Sequence, residues 1–164
     1  MMTEKESFIQ LEKDDVIRIG IKDSKGNDTG KFLTFDMEDI ELPLRLSNCE
    51  ELHKKNIMNL RDKFVIIDKK EDKKGKKLLS WKEEEKVKAI QEFYKNEMVA
   101  LDMFVGDGNT QMLLDLMGRN PYYSMFDDIT KMLEPIMPML KVNVESIKKK
   151  IVDKYSNNNS EVMK

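Results

Sequence analysis

The pattern that most constrains this chain is an unbroken amphipathic run from Trp81 to Val105. Val87, Ile90, Tyr94, Met98, Leu101 and Val105 follow one another by three or four residues, which places them on one face of a helix. Phe93, Ala100 and Phe104 widen that face, so the helix is predicted to pack against more than one neighbour. Ser80 stands just before it with Glu83 three residues on, the spacing of a capping box in which each residue's side chain bonds the other's backbone N–H. Glu83 to Glu85 then lie near the positive end of the helix dipole. Gly106 and Gly108 end the run, because glycine takes the backbone geometry that a helix terminus needs. At 1.5 Å per residue such a helix is about 37 Å long.

The other elements are read around this helix. Residues 1–13 are polar and aperiodic, which predicts a flexible N-terminal tail. From Val16 to Lys22, Ile17, Ile19 and Ile21 alternate with Arg18, Gly20 and Lys22, the pattern of a half-buried strand. The turn-rich stretch from Asp23 to Gly30 leads to a second strand over about Lys31–Phe35, and the two are predicted to pair antiparallel. Ile40, Leu42, Leu44 and Leu46 also alternate, and Pro43 among them argues for an edge strand or an extended crossing segment. Ser47 has the chemistry of an N-cap for a helix carrying Cys49, His53, Ile57, Leu60, Phe64 and Ile67, ending near Asp68. Residues 69–79 include the run from Lys69 to Lys77, which has no apolar side chain, and read as an exposed, mobile loop between two antiparallel helices.

Beyond Gly108, Asn109 caps a short helix over Thr110–Met117 that Gly118 closes. Asn120-Pro121 opens the next helix, since proline is favoured at the first helical position. Tyr122, Met125, Phe126, Ile129, Met132 and Leu133 form its apolar face, and Pro135 and Pro138 kink or end it. Asn143 caps a last helix on which Val144, Ile147, Ile151 and Tyr155 line up, with Val142 stapled to Ile147. From Ser156 to Lys164 the chain is predicted to be disordered. The fold class is therefore mainly α: an antiparallel helical bundle (47–155) with a small N-terminal antiparallel β segment (14–46), in one domain over residues 14–155.

Composition narrows the function. With 164 residues there is room for one domain with a real core. Charge is abundant but balanced, 29 basic against 31 acidic side chains, so no global pull toward nucleic acid is expected. A single cysteine excludes an intramolecular disulfide and fits a reducing compartment. The start of the sequence lacks the basic and apolar run of a signal peptide, and no stretch approaches a membrane span.

The candidates for chemistry are few. Cys49 and His53 lie four apart on one helix face, yet a zinc site needs two more ligands and the chain has no other Cys or His. As a catalytic pair they lack an identifiable orienting group or oxyanion donor. Gly106-Asp107-Gly108-Asn109-Thr110 has neither the lysine of a phosphate loop nor the ligand spacing of a calcium loop, and a helix–turn–helix junction accounts for it. The lysine run is diluted by Glu71 and Asp72 and carries no interleaved aromatic for base stacking. The adjacent carboxylates Asp127 and Asp128 point to different sides of their helix, which argues against paired acid–base work. No catalytic residue, cofactor or metal site is expected. Methionine is the more informative residue: there are 13, and eight fall between Met98 and Met139. Flexible, polarisable methionines suit surfaces that accept irregular partners. Tyr122, Tyr123, Met125, Phe126, Met132, Met137 and Met139 exceed what one short helix normally buries on one side, so they form the candidate partner-binding surface, offered to another protein or to a second copy in a homo-oligomer.

The chain also resembles a known family. A small β segment leads into Leu46-Ser47-Asn48-Cys49-Glu50. A lysine-rich break and a long helix follow, ending in Ala100-Leu101-Asp102-Met103-Phe104-Val105-Gly106-Asp107-Gly108-Asn109-Thr110. Then comes Gly118-Arg119-Asn120-Pro121-Tyr122-Tyr123-Ser124-Met125-Phe126-Asp127-Asp128. This layout, over about residues 14–155, resembles the tail assembly chaperones of long-tailed phages and prophages of low-GC Gram-positive bacteria. The resemblance implies a non-enzymatic protein that coats the tape measure protein, helps recruit tail tube subunits, acts in the host bacterial cytoplasm and leaves before the virion is complete. It also implies that a longer, frameshifted form is common, and it brings no catalytic residues. A permanent tail or head–tail structural protein is the alternative, followed by a small nucleic-acid-binding regulator.

Overall fold

The structure, a computed structural model, describes residues 16–75, 78–140 and 144–162. It is mainly helical, with one two-stranded antiparallel sheet at the N-terminal end. The predicted tail at 1–13, the Asn143 cap and the Val142 staple lie outside the described residues.

Strands β1 (Val16–Lys22) and β2 (Asp28–Asp36) pair from Val16 opposite Asp36 to Ile21 opposite Lys31, with an irregularity before Lys22. The turn is organised by Asp23, whose Oδ1 accepts from the backbone N–H groups of Lys25 and Asn27, both at 2.9 Å. Alternation sends Leu33 and Phe35 into the core, with Ile17, Ile19 and Ile21 packed beside them. On the outer face the Arg18 guanidinium lies 4.2 Å from the centre of the Phe32 ring.

Helices α1 (Leu42–Asp68) and α2 (Trp81–Val105) form a long antiparallel hairpin. The start of α1 corrects the expected extended segment over 40–46 and the expected Ser47 cap. Pro43 stands in the first turn of the helix, where its missing N–H leaves nothing unsatisfied. The helical row Leu42, Leu46, Cys49 then takes precedence over the two-residue alternation: Leu42 and Cys49 are buried, while Leu44 is exposed. Asp39 secures this entry. Its Oδ1 accepts from the Glu41 N–H at 2.9 Å, and its Oδ2 accepts from Arg45 at 2.6 Å, a contact that holds the Asp39 carboxyl below its usual range.

The capping box on α2 is present in both directions: Ser80 Oγ accepts from the Glu83 N–H at 3.2 Å, and Glu83 Oε2 from the Ser80 N–H at 3.0 Å. Leu101, Val105, Ala100 and Phe104 of the predicted face are buried, and Tyr94 and Met98 pack against the core. Ala89 and Glu97 are buried as well, while Val87 is exposed.

The connection between α1 and α2 is exposed, as expected, but it is tied down. Asp72 Oδ1 accepts from the backbone N–H of Lys73 at 2.8 Å and of Lys82, in the first turn of α2, at 3.1 Å. These bonds, that from Lys82 foremost, hold the Asp72 carboxyl below its usual range. The Trp81 N–H donates to the Lys73 carbonyl, and the ammonium groups of Lys70 and Lys73 lie over the Trp81 ring.

Helix α3 (Asn109–Met117) ends in a Schellman-type closure at Gly118, which adopts φ 64°: the Gly118 N–H donates to Asp115 and the Arg119 N–H to Leu114. Helix α4 (Met125–Leu133) starts four residues later than Pro121 predicts. Residues 121–124 form a turn instead, in which the Arg119 guanidinium sits 3.6 Å over the Tyr122 ring. A 3-10 helix, Glu134–Leu140, takes over where Pro135 and Pro138 stop regular α structure. Helix α5 (Val144–Val162) extends through the stretch from Ser156 that composition assigns to disorder. The core gathers at the open end of the α1–α2 hairpin, where β2, α3 and α4 close over it and Phe35 meets Phe104 at 5.7 Å between ring centres.

Gly75 provides a test of the tied loop. A Cβ there would lie 2.3 Å from the Leu79 carbonyl oxygen and 2.8 Å from the Trp81 nitrogen, both backbone atoms. Gly75→Ala is expected to destabilise the protein by about 1–3 kcal/mol. Urea unfolding checks this, and a mobile loop would absorb the change without loss.

Candidate interaction surface

Cys49, His53, Asp102 and Asp128, which the sequence singles out, are each buried or engaged within the fold. Cys49 is buried, and that burial, followed by the charges of Glu50 and Glu97, pushes its thiol up to about 12. A thiol held so high does not supply a thiolate at neutral pH. His53 turns to Glu97 on α2, with Nδ1 2.5 Å from Oε2, and its ring stacks on Phe126 of α4 at 3.8 Å and 2°. Asn56 Nδ2 donates to the other Glu97 oxygen at 2.9 Å. Glu97 is only 2% exposed, so these two contacts satisfy a carboxylate that would be costly to leave alone. The residues four apart that might have shared a metal or a proton instead join three helices. Among the described residues, no three His, Cys, Asp or Glu side chains are arranged to hold a metal ion.

The glycine loop after α2 is also internally satisfied. Asp102 Oδ2 accepts from the Gly108 N–H and Oδ1 from the Thr110 N–H, both at 3.0 Å. The chain's own carboxylate thus occupies the positive end of α3. Asn109 Nδ2 donates to the Val105 carbonyl at 2.7 Å and completes the junction. Asp128 accepts from Ser124 at 3.2 Å, and its hydrogen bond with Tyr122, together with burial as the larger cause, raises the phenol above its ordinary range.

The predicted partner surface divides. Met125 and Phe126, 1% and 7% exposed, belong to the core, which corrects their assignment to a partner-facing surface. The physical reason is helical register: Met125 and Phe126 share one face of α4 with Ile129 and Leu133, and that face is the one that packs on the core. Tyr122 and Met137 are half-buried and pack against that core. Tyr123 is 85% exposed, and Met132 and Met139 are just over half exposed. Met132 also edges an apolar groove of about 400 Å³ formed with Ile21, Leu113, Leu116 and Met117.

A further exposed apolar stripe runs along α5. Val144, Ile151, Val152 and Tyr155 are each more than half exposed. The three- and four-residue spacing made the stripe visible in the sequence, but only the structure shows that nothing in the described chain covers those four side chains. Glu97 was also missed. Its signal was a lone acidic residue in the row Phe93, Glu97, Leu101, opposite a helix face carrying His53 and Asn56.

Comparison with known protein families, with curated proteins and with solved structures finds no match. Among the described residues, no helix is long and apolar enough to cross a membrane.

The Glu97 cluster makes a measurable prediction. Glu97→Ala leaves the Asn56 amide without its acceptor and the His53 ring without its partner, and is expected to destabilise by about 1–3 kcal/mol. Glu97→Gln, which still accepts from Asn56, is expected to lose less. Equal melting temperatures for wild type and Glu97→Ala would show that the cluster contributes nothing.

Proposed function

We propose that this chain is a non-enzymatic tail assembly chaperone of a long-tailed phage or prophage. In this reading it binds the tape measure protein, keeps its long helices soluble and helps recruit tail tube subunits in the host bacterial cytoplasm, then leaves before the virion is complete. The observation that carries the reading is the uncovered apolar surface of the C-terminal part, where Tyr123, Met132, Met139, Val144, Ile151, Val152 and Tyr155 are all exposed. Exposed apolar surface of this kind marks contact with another chain, and an amphipathic helix laid along it is a recurring mode of recognition. The layout shared with the tail assembly chaperones, from the segment after the β hairpin to Tyr122-Tyr123-Ser124-Met125-Phe126, supports the same assignment.

Co-expression tests it. Wild-type chain produced with the tape measure protein from the same genome is expected to raise the soluble fraction of that protein and to co-purify with it. The triple variant Tyr123→Ser, Met132→Ser, Met139→Ser should keep the wild-type melting temperature, since exposed substitutions usually shift stability by less than about 0.5 kcal/mol. It should protect the tape measure protein less well. Failure of the wild type to associate, combined with its recovery in purified virions, would assign it instead to the permanent tail structure.

A further inference from the structure

Helix α5 combines its uncovered stripe with a distinct charge pattern. Val144, Ile147, Ile151 and Tyr155 recur at three, four and four residues, with Val152 beside them. At 3.6 residues per turn, Lys148 flanks the row of Val144, Ile147, Ile151 and Tyr155 on one side, and Lys150 and Lys154 flank it on the other. Glu145 lies farther out, beyond Val152, and Lys149 and Asp153 lie on the far face, so lysine stands next to that row on both sides.

We propose that α5 docks an amphipathic helix of another protein whose apolar stripe is bordered by carboxylates. The proposal rests on the reading of this chain as a holder of helical proteins, and it specifies which helices it holds. Charge complementarity decides the occupant. A second α5 would bring lysine borders against lysine borders, and like charges across a helical seam oppose pairing. An interfacial membrane helix presents Trp, Phe and Leu to the lipid. The stripe from Val144 to Tyr155 has none of these and is mostly β-branched, as suits the packed seam of a helix pair. A partner helix with Glu or Asp at its borders would cover the exposed Ile151, Val152 and Tyr155 and pair with the lysines on either side.

The test uses the full chain and a fluorescent synthetic peptide with an Ile/Leu heptad seam and glutamate borders, alongside the same peptide with lysine borders. Fluorescence anisotropy is expected to show saturable binding of the glutamate peptide only, weakening as salt is raised. The variant Ile151→Ser, Tyr155→Ser should bind at least about tenfold more weakly. So should the variant with Lys148, Lys150 and Lys154 all changed to Ser, and both should melt as wild type does. Equal binding of the two peptides, or wild-type binding by these variants, would overturn the proposal. So would tighter binding to phosphatidylserine-containing vesicles than to the peptide, or a concentration-dependent self-association that Ile151→Ser abolishes. The two readings fail separately. If the α5 variants still protect co-expressed tape measure protein and the peptide does not bind, only the docking helix is wrong. If the wild type protects nothing, the chaperone reading is wrong.

Discussion

The carboxylate of Glu97 is the constraint on which the helical arrangement depends. It is nearly sealed from solvent, and a buried charge is tolerated only where hydrogen bonds replace water. His53 and Asn56, one turn apart on α1, provide those bonds. Satisfying them sets how α1 and α2 are rotated and aligned, because another rotation would strand the carboxylate among apolar side chains. The same His53 ring stacks on Phe126, so α4 is located by the contact that aligns the hairpin. Toward the hairpin tip, Lys86 continues the antiparallel alignment by pairing with Asp68 at 2.6 Å. That pair is solvent-exposed and adds little stability compared with the buried cluster.

Much of the architecture was legible because it is written in local chemistry. The alternating isoleucines of β1, the Ser80–Glu83 box, the glycine closing α3 and the prolines ending α4 each act within a few residues. What could not be read was decided by packing. Pro43 is compatible with both an extended edge and a first helical turn, and the burial of Leu42 beside Cys49 selected the helix. On α2 the apolar spacing began at Val87, but α1 packs where Ala89 is buried and where Glu97 meets its partners. The candidate surface was half legible for the same reason. Met125 and Phe126 cannot be told from Tyr123 and Met132 by composition, and packing of the α4 face they share with Ile129 and Leu133 is what buries the first pair.

The distribution of partners within the fold is uneven, and this shapes the functional account. Around the hairpin's open end, the groups that might carry chemistry are engaged by neighbours: Cys49 by burial, His53 by Glu97, the loop N–H groups by Asp102. Toward the C-terminus the unmet surface is apolar instead. An isolated amphipathic helix in water is marginal without a partner for its apolar face. Helix α5 therefore gains most from a second chain, and the rigid hairpin and core act as the scaffold that presents it.

Hydrogen–deuterium exchange tests this division most directly, comparing the chain alone with the chain mixed with the tape measure protein proposed as its partner. Amides of residues 144–156 are expected to exchange rapidly in the free chain and to become strongly protected in the complex. The buried stretch around Glu97 should be slow in both. Unchanged exchange across residues 144–156, or new protection confined to α1 and α2, would contradict the assignment of the C-terminal helix as the partner surface.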